Sequence, residues 1–350
     1  PKSDLAQLAA DAVAQAPNIE TILEVDLNRY LTPPKSWIVR LIRPKVTASH
    51  SAKVLDFNLE INKQNRALDF EDATEDRVAA YFHTGGTTGM PKVAQHKYSG
   101  IVYNGWLGDR MLFNSDDTII CPLPLFHVFA CHVILMAMIS SGAHVVFPTP
   151  QGYRGEGVFD NFWKLIERWN VSFMITVPTA ISALMQRPVD ADITSLRTAF
   201  SGSSPLPVEL FKRFEKATGV QIVEGYGLTE VTCLVSCNPD QGLKKVGSVG
   251  IPLPHTNVKI LLDAADGPTE CAANEIGEIC VENPGVFAGN TYTETIKNTG
   301  LYHFNTHLRT GDLGRMDEDG YLWITGRAKD LIIRGGHNLS LIHISEPTRH

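Results

Sequence analysis

Short β-branched and apolar runs alternate with amphipathic stretches through most of this chain. Val78–Phe82, Thr118–Cys121, His144–Phe147, Phe173–Thr176, Thr198–Ser201 and Gln221–Glu224 read as strands, as does Thr21–Val25. Between them, Ala130–Ile139, Phe159–Trp169, Ala180–Met185 and Val208–Ala217 carry apolar residues at helical spacing, and Leu5–Ala14 reads as an alanine-faced helix. Such alternation predicts an α/β fold, with parallel sheets in layered subdomains covered by helices. From Gly247 the texture changes. Gly247–Pro254, Val258–Leu262, Glu275–Val281 and Tyr321–Ile324 are short strands separated by Asp-Gly and Pro-Gly turns. That stretch predicts a small distorted antiparallel β-barrel or sheet. No internal repeat or low-complexity tract breaks the pattern.

Composition narrows the class without choosing a function. The 350 residues are 43% hydrophobic and 20% charged, ordinary for a soluble protein. Thirty-one basic against 38 acidic residues give a net charge of −7, so nothing general favours nucleic acid. The basic spot holding Lys35, Arg40, Arg43 and Lys45 fits a solvated face better than an anionic lipid surface. The six cysteines show no zinc spacing and sit mostly in apolar runs, as buried thiols of a reducing compartment do. No cationic start leads into an apolar run, and Phe129–Ile139 is too short to span a bilayer.

The candidate chemistry begins at residues 81–92, Tyr-Phe-His-Thr-Gly-Gly-Thr-Thr-Gly-Met-Pro-Lys. Glycines let the backbone approach a ligand, and successive free N–H groups form an anion site. Thr84, Thr87 and Thr88 add hydroxyls, and Lys92 adds a point charge suited to phosphate. A plain Gly/Thr turn is the simpler alternative. The P-loop pattern fails because Met90 and Pro91 separate Gly89 from Lys92, and G-x-G-x-x-G is absent. Further on, Gly225-Tyr-Gly-Leu-Thr-Glu230 follows an apolar run, as at the carboxyl end of a parallel strand. There Tyr226 can stack on a base, Thr229 can bond a phosphate, and Glu230 offers the hard oxygen Mg²⁺ prefers. Asp312 in Arg-Thr-Gly-Asp can accept two ribose hydroxyls, and Gly326-Arg-Ala-Lys-Asp330 closes the series. Singly, the last two read equally well as surface turns.

Four motifs in this order resemble the adenylate-forming superfamily, which includes acyl-CoA synthetases, luciferases and peptide-synthetase adenylation domains. The first differs from the usual form by Gly85 for serine and Val93 for the last glycine. The resemblance implies catalytic roles for Thr84, Lys92, Thr229 and Glu230, the last also as the Mg²⁺ ligand. It implies nucleotide contacts at Gly85, Gly86, Thr87, Thr88, Gly89, Gly202, Ser203, Ser204, Tyr226, Gly227, Asp312 and Arg327. Phe126, His127, Val177 and Gly225 would line the acid pocket, and Lys329 and Asp330 would form a hinge. The implied reaction joins a carboxylic acid, expected to be a fatty acid, to ATP as an acyl-adenylate, then to coenzyme A. A fatty-acyl-AMP ligase serving a carrier protein, or a non-catalytic adenylate binder, are the alternatives. A cytoplasmic location is expected, with or without peripheral membrane contact.

The resemblance also divides the chain. Residues 1–246 would be the α/β part of the large domain, opening partway through its first subdomain. Residues 247–326 would be the β-barrel subdomain and 327–338 the start of a small C-terminal domain. The last twelve, Leu339-Ser-Leu-Ile-His-Ile-Ser-Glu-Pro-Thr-Arg-His350, resemble translated adapter sequence and are expected to be non-native. Relatives carry a catalytic lysine further into the small domain. These residues are therefore expected to bind nucleotide better than they turn it over.

Overall fold

The computed structural model describes residues 2–42, 49–65, 67, 74–84, 92–328, 331–334 and 337–340. It divides into two compact units, residues 1–72 and 73–350. The first holds helix α1 (Lys2–Gln15), strand β1 (Thr21–Glu24), α2 (Lys35–Ile42), β2 (Lys53–Asp56) and α3 (Phe57–Ile61). β1 pairs with β2 in parallel, Thr21 opposite Lys53. Asp56 caps α3 by accepting from the Leu59 amide at 2.9 Å, as an N-cap carboxylate should.

The second unit opens with a hairpin of β3 (Val78–Thr84) and β4 (Lys92–Lys97), followed by α4 (Tyr98–Met111). The Val78 run was expected as one more strand of a parallel sheet. It pairs antiparallel with β4 instead, because only seven residues separate the two and a parallel return needs a crossover. Then come β5 (Thr118–Ile120), a π-helical turn (Phe129–Leu135), α5 (Met136–Ser141), β6 (His144–Val146) and α6 (Phe162–Trp169). β7 (Phe173–Thr176), α7 (Pro178–Leu184), β8 (Thr198–Ser201), α8 (Val208–Thr218) and β9 (Ile222–Gly227) continue the alternation. β10 (Leu234–Cys237) and β11 (Ile251–Pro252) complete a seven-stranded sheet of order β11-β10-β9-β8-β7-β5-β6. Its β6, β5, β7, β8 and β9 are parallel, and β10 and β11 run antiparallel at one edge.

Side-chain alternation along these strands builds two cores, one on each face. Ile119, Phe173, Ile175, Phe200 and Val223 face Tyr103 and Leu107 of α4, Phe129 and Val133 of the π-turn, and Ala137 of α5. Their neighbours Ile120, Met174, Ala199 and Ile222 face α6, α7 and α8 through Phe162, Trp163, Ile166, Ile181, Leu184, Phe211 and Phe214. The expected single helix over 130–139 is thus a π-turn running into α5, where the Met136 amide reaches back to the Cys131 carbonyl.

β12 (Asn257–Ala264), β13 (Gly267–Glu270), β14 (Gly277–Glu282), β15 (Tyr302–His303), β16 (His307–Met316) and β17 (Leu322–Arg327) form the antiparallel region. It is a branched six-stranded sheet rather than a closed ladder, ordered β13-β12-β14-β16-β15 with β17 also on β16. β11, inside the stretch read as its first strand, belongs to the seven-stranded sheet. A third core of Tyr226, Val231, Val235, Ile260, Ile279, Val281, Leu308 and Leu322 lies between the two sheets. β18 (Leu331–Arg334) and β19 (His337–Ser340) form a final hairpin. All six cysteines are free. Burial pushes the Cys121 thiol up to about 12. Among the described residues, no helix is long and apolar enough to cross a membrane.

Candidate functional site

The parallel register brings the motif ends to one edge. Thr176 pairs with Ser201, and Ser201 with Glu224, so the segments leaving β7, β8 and β9 emerge side by side. Val177, Gly202–Ser204 and Gly225–Glu230 lie on those exits. Ligand sites of α/β sheets form at such carboxyl ends.

The Gly-Tyr-Gly spacing has a steric cause. A Cβ on Gly225 would come within 2.5 Å of the Phe200 ring, and one on Gly227 within 1.8 Å of the Cys233 carbonyl oxygen. Gly202 is confined less severely, its missing Cβ lying 3.3 Å from the Gly225 carbonyl and from the Phe129 ring. Ser203 follows with φ +70°, a left-handed conformation uncommon for serine, and both Ser203 and Ser204 are exposed.

Tyr226 is buried between these glycines, and its phenol donates to Asp312 Oδ2 at 2.6 Å. Arg327 Nε donates to the other oxygen, Oδ1, at 3.0 Å, and the Asp312 amide donates to Thr310 Oγ1 at 3.1 Å. The register explains the meeting, since Asp312 lies opposite Arg327 across β16 and β17. Burial, reinforced by the Asp312 charge, raises the phenol well above its usual range, so Tyr226 remains a donor. Asp312 is itself buried, and both oxygens are fixed by donors. A carboxylate so oriented keeps lone pairs for a pair of vicinal hydroxyls.

Thr84 and Lys92 face each other as the last register pair of the β3–β4 hairpin. Gly85, Gly86, Thr87, Thr88 and Gly89, between them, lie outside the described residues, as do Lys329 and Asp330. Lys92 Nζ stands 4.4 Å from the centroid of the Tyr292 ring. The Tyr292 phenol in turn donates to Glu230 Oε1 at 2.7 Å. Tyr292 is held there because its strand segment docks on β4. The Gln95 amide donates to the Thr291 carbonyl at 2.8 Å, and the Thr293 amide to the Val93 carbonyl at 3.1 Å. Burial and the Glu230 charge raise the Tyr292 phenol, which keeps its proton. Lysine, ring and carboxylate therefore form one continuous line.

Sequence reasoning missed Tyr292, and also His96 and His132, which are buried directly behind Thr229. Thr-Tyr-Thr is an unremarkable stretch, and Tyr292 lies 62 residues from the glutamate it touches. On the acid side, Val177 is half-buried. Phe126, expected to face the substrate, is 82% exposed on the loop after β5, and His127 beside it is exposed as well. A hard-oxygen carboxylate beside a lysine and a threonine suits Mg²⁺ with phosphate oxygens, so Glu230 fits the ion the motif implies.

A family model described as AMP-binding enzyme matches residues 24–290. The chain is 40% identical over 296 residues to a marinolic acid–CoA ligase of Pseudoalteromonas sp. (strain SANK 73390), covering 81% of this chain and 45% of that protein. It is 33% identical over 275 residues to a long-chain-fatty-acid–CoA ligase of Bacillus subtilis (strain 168), covering 76% and 46%. The fold resembles the crystal structure of ATP-bound MatB from Rhodopseudomonas palustris, with TM-score 0.75 and 28% identity over 96% of this chain and 63% of that one. The chain spans about half the length of the curated relatives it matches. On the motif order, the layered fold and these matches, the chain belongs to the AMP-binding family of adenylate-forming enzymes.

Proposed function

We propose that this chain is the nucleotide-binding core of an acid–thiol ligase that activates a carboxylic acid with ATP and transfers it to coenzyme A. The observation that carries the reading is the junction of Tyr226, Asp312 and Arg327 beside the Lys92–Tyr292–Glu230 line. One cluster suits a ribose, and the other suits a phosphate chain with its metal. The two meet through Tyr226 and Glu230, four residues apart on one turn.

The chemistry asks little of a general base. A carboxylate is already a nucleophile, and its oxygen attacks the α-phosphorus in line while the bond to the β-phosphate oxygen breaks and pyrophosphate leaves. Positioning and charge neutralisation supply most of the acceleration. Asp312, oriented by Tyr226 and Arg327, would hold the ribose hydroxyls. Gly202–Ser204 and Gly227 would border the base, and Thr84, Lys92 and Thr229, with the loop 85–89, would grip phosphate oxygens. Glu230 would hold Mg²⁺, which when bound offsets phosphate charge. In the second step a thiol loses its proton, its sulfur attacks the acyl carbon, the acyl–phosphate C–O bond breaks and AMP leaves. Val177, Gly225, Phe126 and His127 would border the acid. Lys329 and Asp330 would be the hinge between the two steps, and the domain divisions at 246, 326 and 338 belong to the same reading.

We further favour a fatty acid as the substrate. Relatives named as long-chain-fatty-acid–CoA ligases support this choice. The test is ATP–pyrophosphate exchange with fatty acid, alongside calorimetric binding of Mg·ATP. Fatty-acid-dependent exchange with binding supports the ligase core. Binding without exchange in a chain extended through the small domain would instead support an adenylate-binding protein. Absence of both overturns the reading.

A further inference from the structure

His96 on β4 and His132 in the π-turn are both 1% exposed and touch each other in the core. His96 Nε2 lies 2.8 Å from the Thr229 carbonyl oxygen, and His96 Nδ1 lies 3.0 Å from His132 Nε2. A carbonyl only accepts, so His96 carries its proton on Nε2. His96 Nδ1 is then an acceptor, and His132 must donate from Nε2. That leaves His132 Nδ1 bare, and it is indeed a buried nitrogen without a partner among the described residues. Burial favours the neutral rings this requires, drawing His96 down to about 4 and His132 to about 3, the latter helped by its neighbour.

Packing locks the pair. The Phe82 ring stacks on His96 at 5.1 Å with a 19° tilt and meets the His132 edge at 4.9 Å and 67°. The π-turn carrying His132 is a wide turn of the kind that clusters at functional sites. The Thr229 carbonyl also accepts the Thr232 amide at 3.1 Å, so two donors hold it. This carbonyl belongs to the planar peptide that joins Thr229 to Glu230. Fixing its direction fixes the Glu230 amide and Cα, and with them the line from which the carboxylate departs.

We propose that His132 and His96 are positioning residues of this site, a buried hydrogen-bond relay that sets the Thr229–Glu230 peptide plane and so aims Glu230 at the metal–phosphate group. The proposal rests on the nucleotide reading above. Neither histidine touches substrate; both act through Glu230.

Two measurements test it on the 350-residue chain. Long-range ¹H–¹⁵N correlation of histidine-labelled protein reads the tautomers, with His96→Gln and His132→Gln assigning the signals. Both rings should be neutral at pH 7 and protonated on Nε2. Calorimetry then compares Mg·ATP with metal-free AMP. His96→Leu should weaken Mg·ATP binding by about tenfold, the upper range for one lost hydrogen bond. AMP, which relies on Asp312 rather than Glu230, should bind within about twofold of the unsubstituted chain. His96→Gln places an amide donor near the lost Nε2 and should recover most of the loss. Other tautomers, or a His96→Leu chain that binds Mg·ATP normally or loses AMP in equal measure, overturn the relay and leave the nucleotide reading intact. An unsubstituted chain that binds neither ligand overturns that reading, and the relay with it.

Discussion

At the scale of single residues, Asp312 shows how a common turn residue becomes a defined acceptor. Its two oxygens are fixed by Tyr226 and Arg327, and burial of both partners strengthens the Tyr226 contact. Asp312→Asn keeps the shape but removes the charge and one acceptor. It should weaken AMP and Mg·ATP alike, by about tenfold or more if a charge-assisted bond of roughly 1.5–3 kcal/mol is lost. Calorimetry checks this, and a loss confined to Mg·ATP would contradict the ribose role. Glu224 offers a second test. It is buried on β9, accepts the Leu206 amide at 3.0 Å, and burial raises its carboxyl to about 7. A raised acid is protonated in the fold before it is in the unfolded chain. Its stabilising effect is complete below the unfolded value of 4.5 and is lost as pH rises through about 7. Glu224→Gln keeps the acceptor and removes the ionisation. It should raise the melting temperature at pH 8 but change little at pH 5, as calorimetric scans at both would show.

At the scale of elements, close approach matters more than propensity. α4 carries Gly105 and Gly108 where it crosses the π-turn and α5. A Cβ on Gly108 would stand 2.5 Å from the Ala137 Cβ and 2.8 Å from the Val133 carbonyl oxygen. Alanine is the better helix former by about 1 kcal/mol, but overpacking costs typically about 1–3 kcal/mol. Overpacking wins because the clash includes backbone. Gly108→Ala should therefore lower stability, shifting the thermal midpoint down by roughly 1–2 °C per kcal/mol lost in a unit of this size. A rise in the midpoint would show that α4 moves freely. The same crossing sets where the π-turn places His132, so this variant should also disturb the imidazole signals of the relay.

At the scale of the whole molecule, the two sheets share a core through Tyr226, and the site lies where they meet. Acid should undo this arrangement through the histidine pair. A base whose folded value is lowered stabilises the fold above its unfolded value, 6.5 here, and the benefit disappears as pH falls through the folded values of about 4 and 3. Glu224 opposes the trend, but it is one group against two. Urea midpoints should fall between pH 7 and pH 4.5, and a His96→Gln, His132→Gln chain should show a flatter profile. A midpoint that holds steady or rises toward acid would count against two buried neutral rings.

Much of this protein could be read directly from residue order. Phe173–Thr176 and Thr198–Ser201 are strands with the bounds their apolar runs predict, because strand and helix periods are local properties of the chain. The four motifs were equally legible, since glycine spacing records where backbone must approach closely. Local patterns carried no information about partners. Nothing around Tyr292 announces that it will dock on β4 and reach Glu230, and nothing around His96 announces His132, 36 residues away. The antiparallel pairing of β3, the π-turn in place of a single helix, and the open ladder of the second sheet were likewise decided by long-range contacts. The sequence by itself determined which motifs the chain carries and in what order along it. Only the tertiary structure decided which side chains hold that chemistry in place, because burial and hydrogen bonding between distant residues exist only once the sheets have packed.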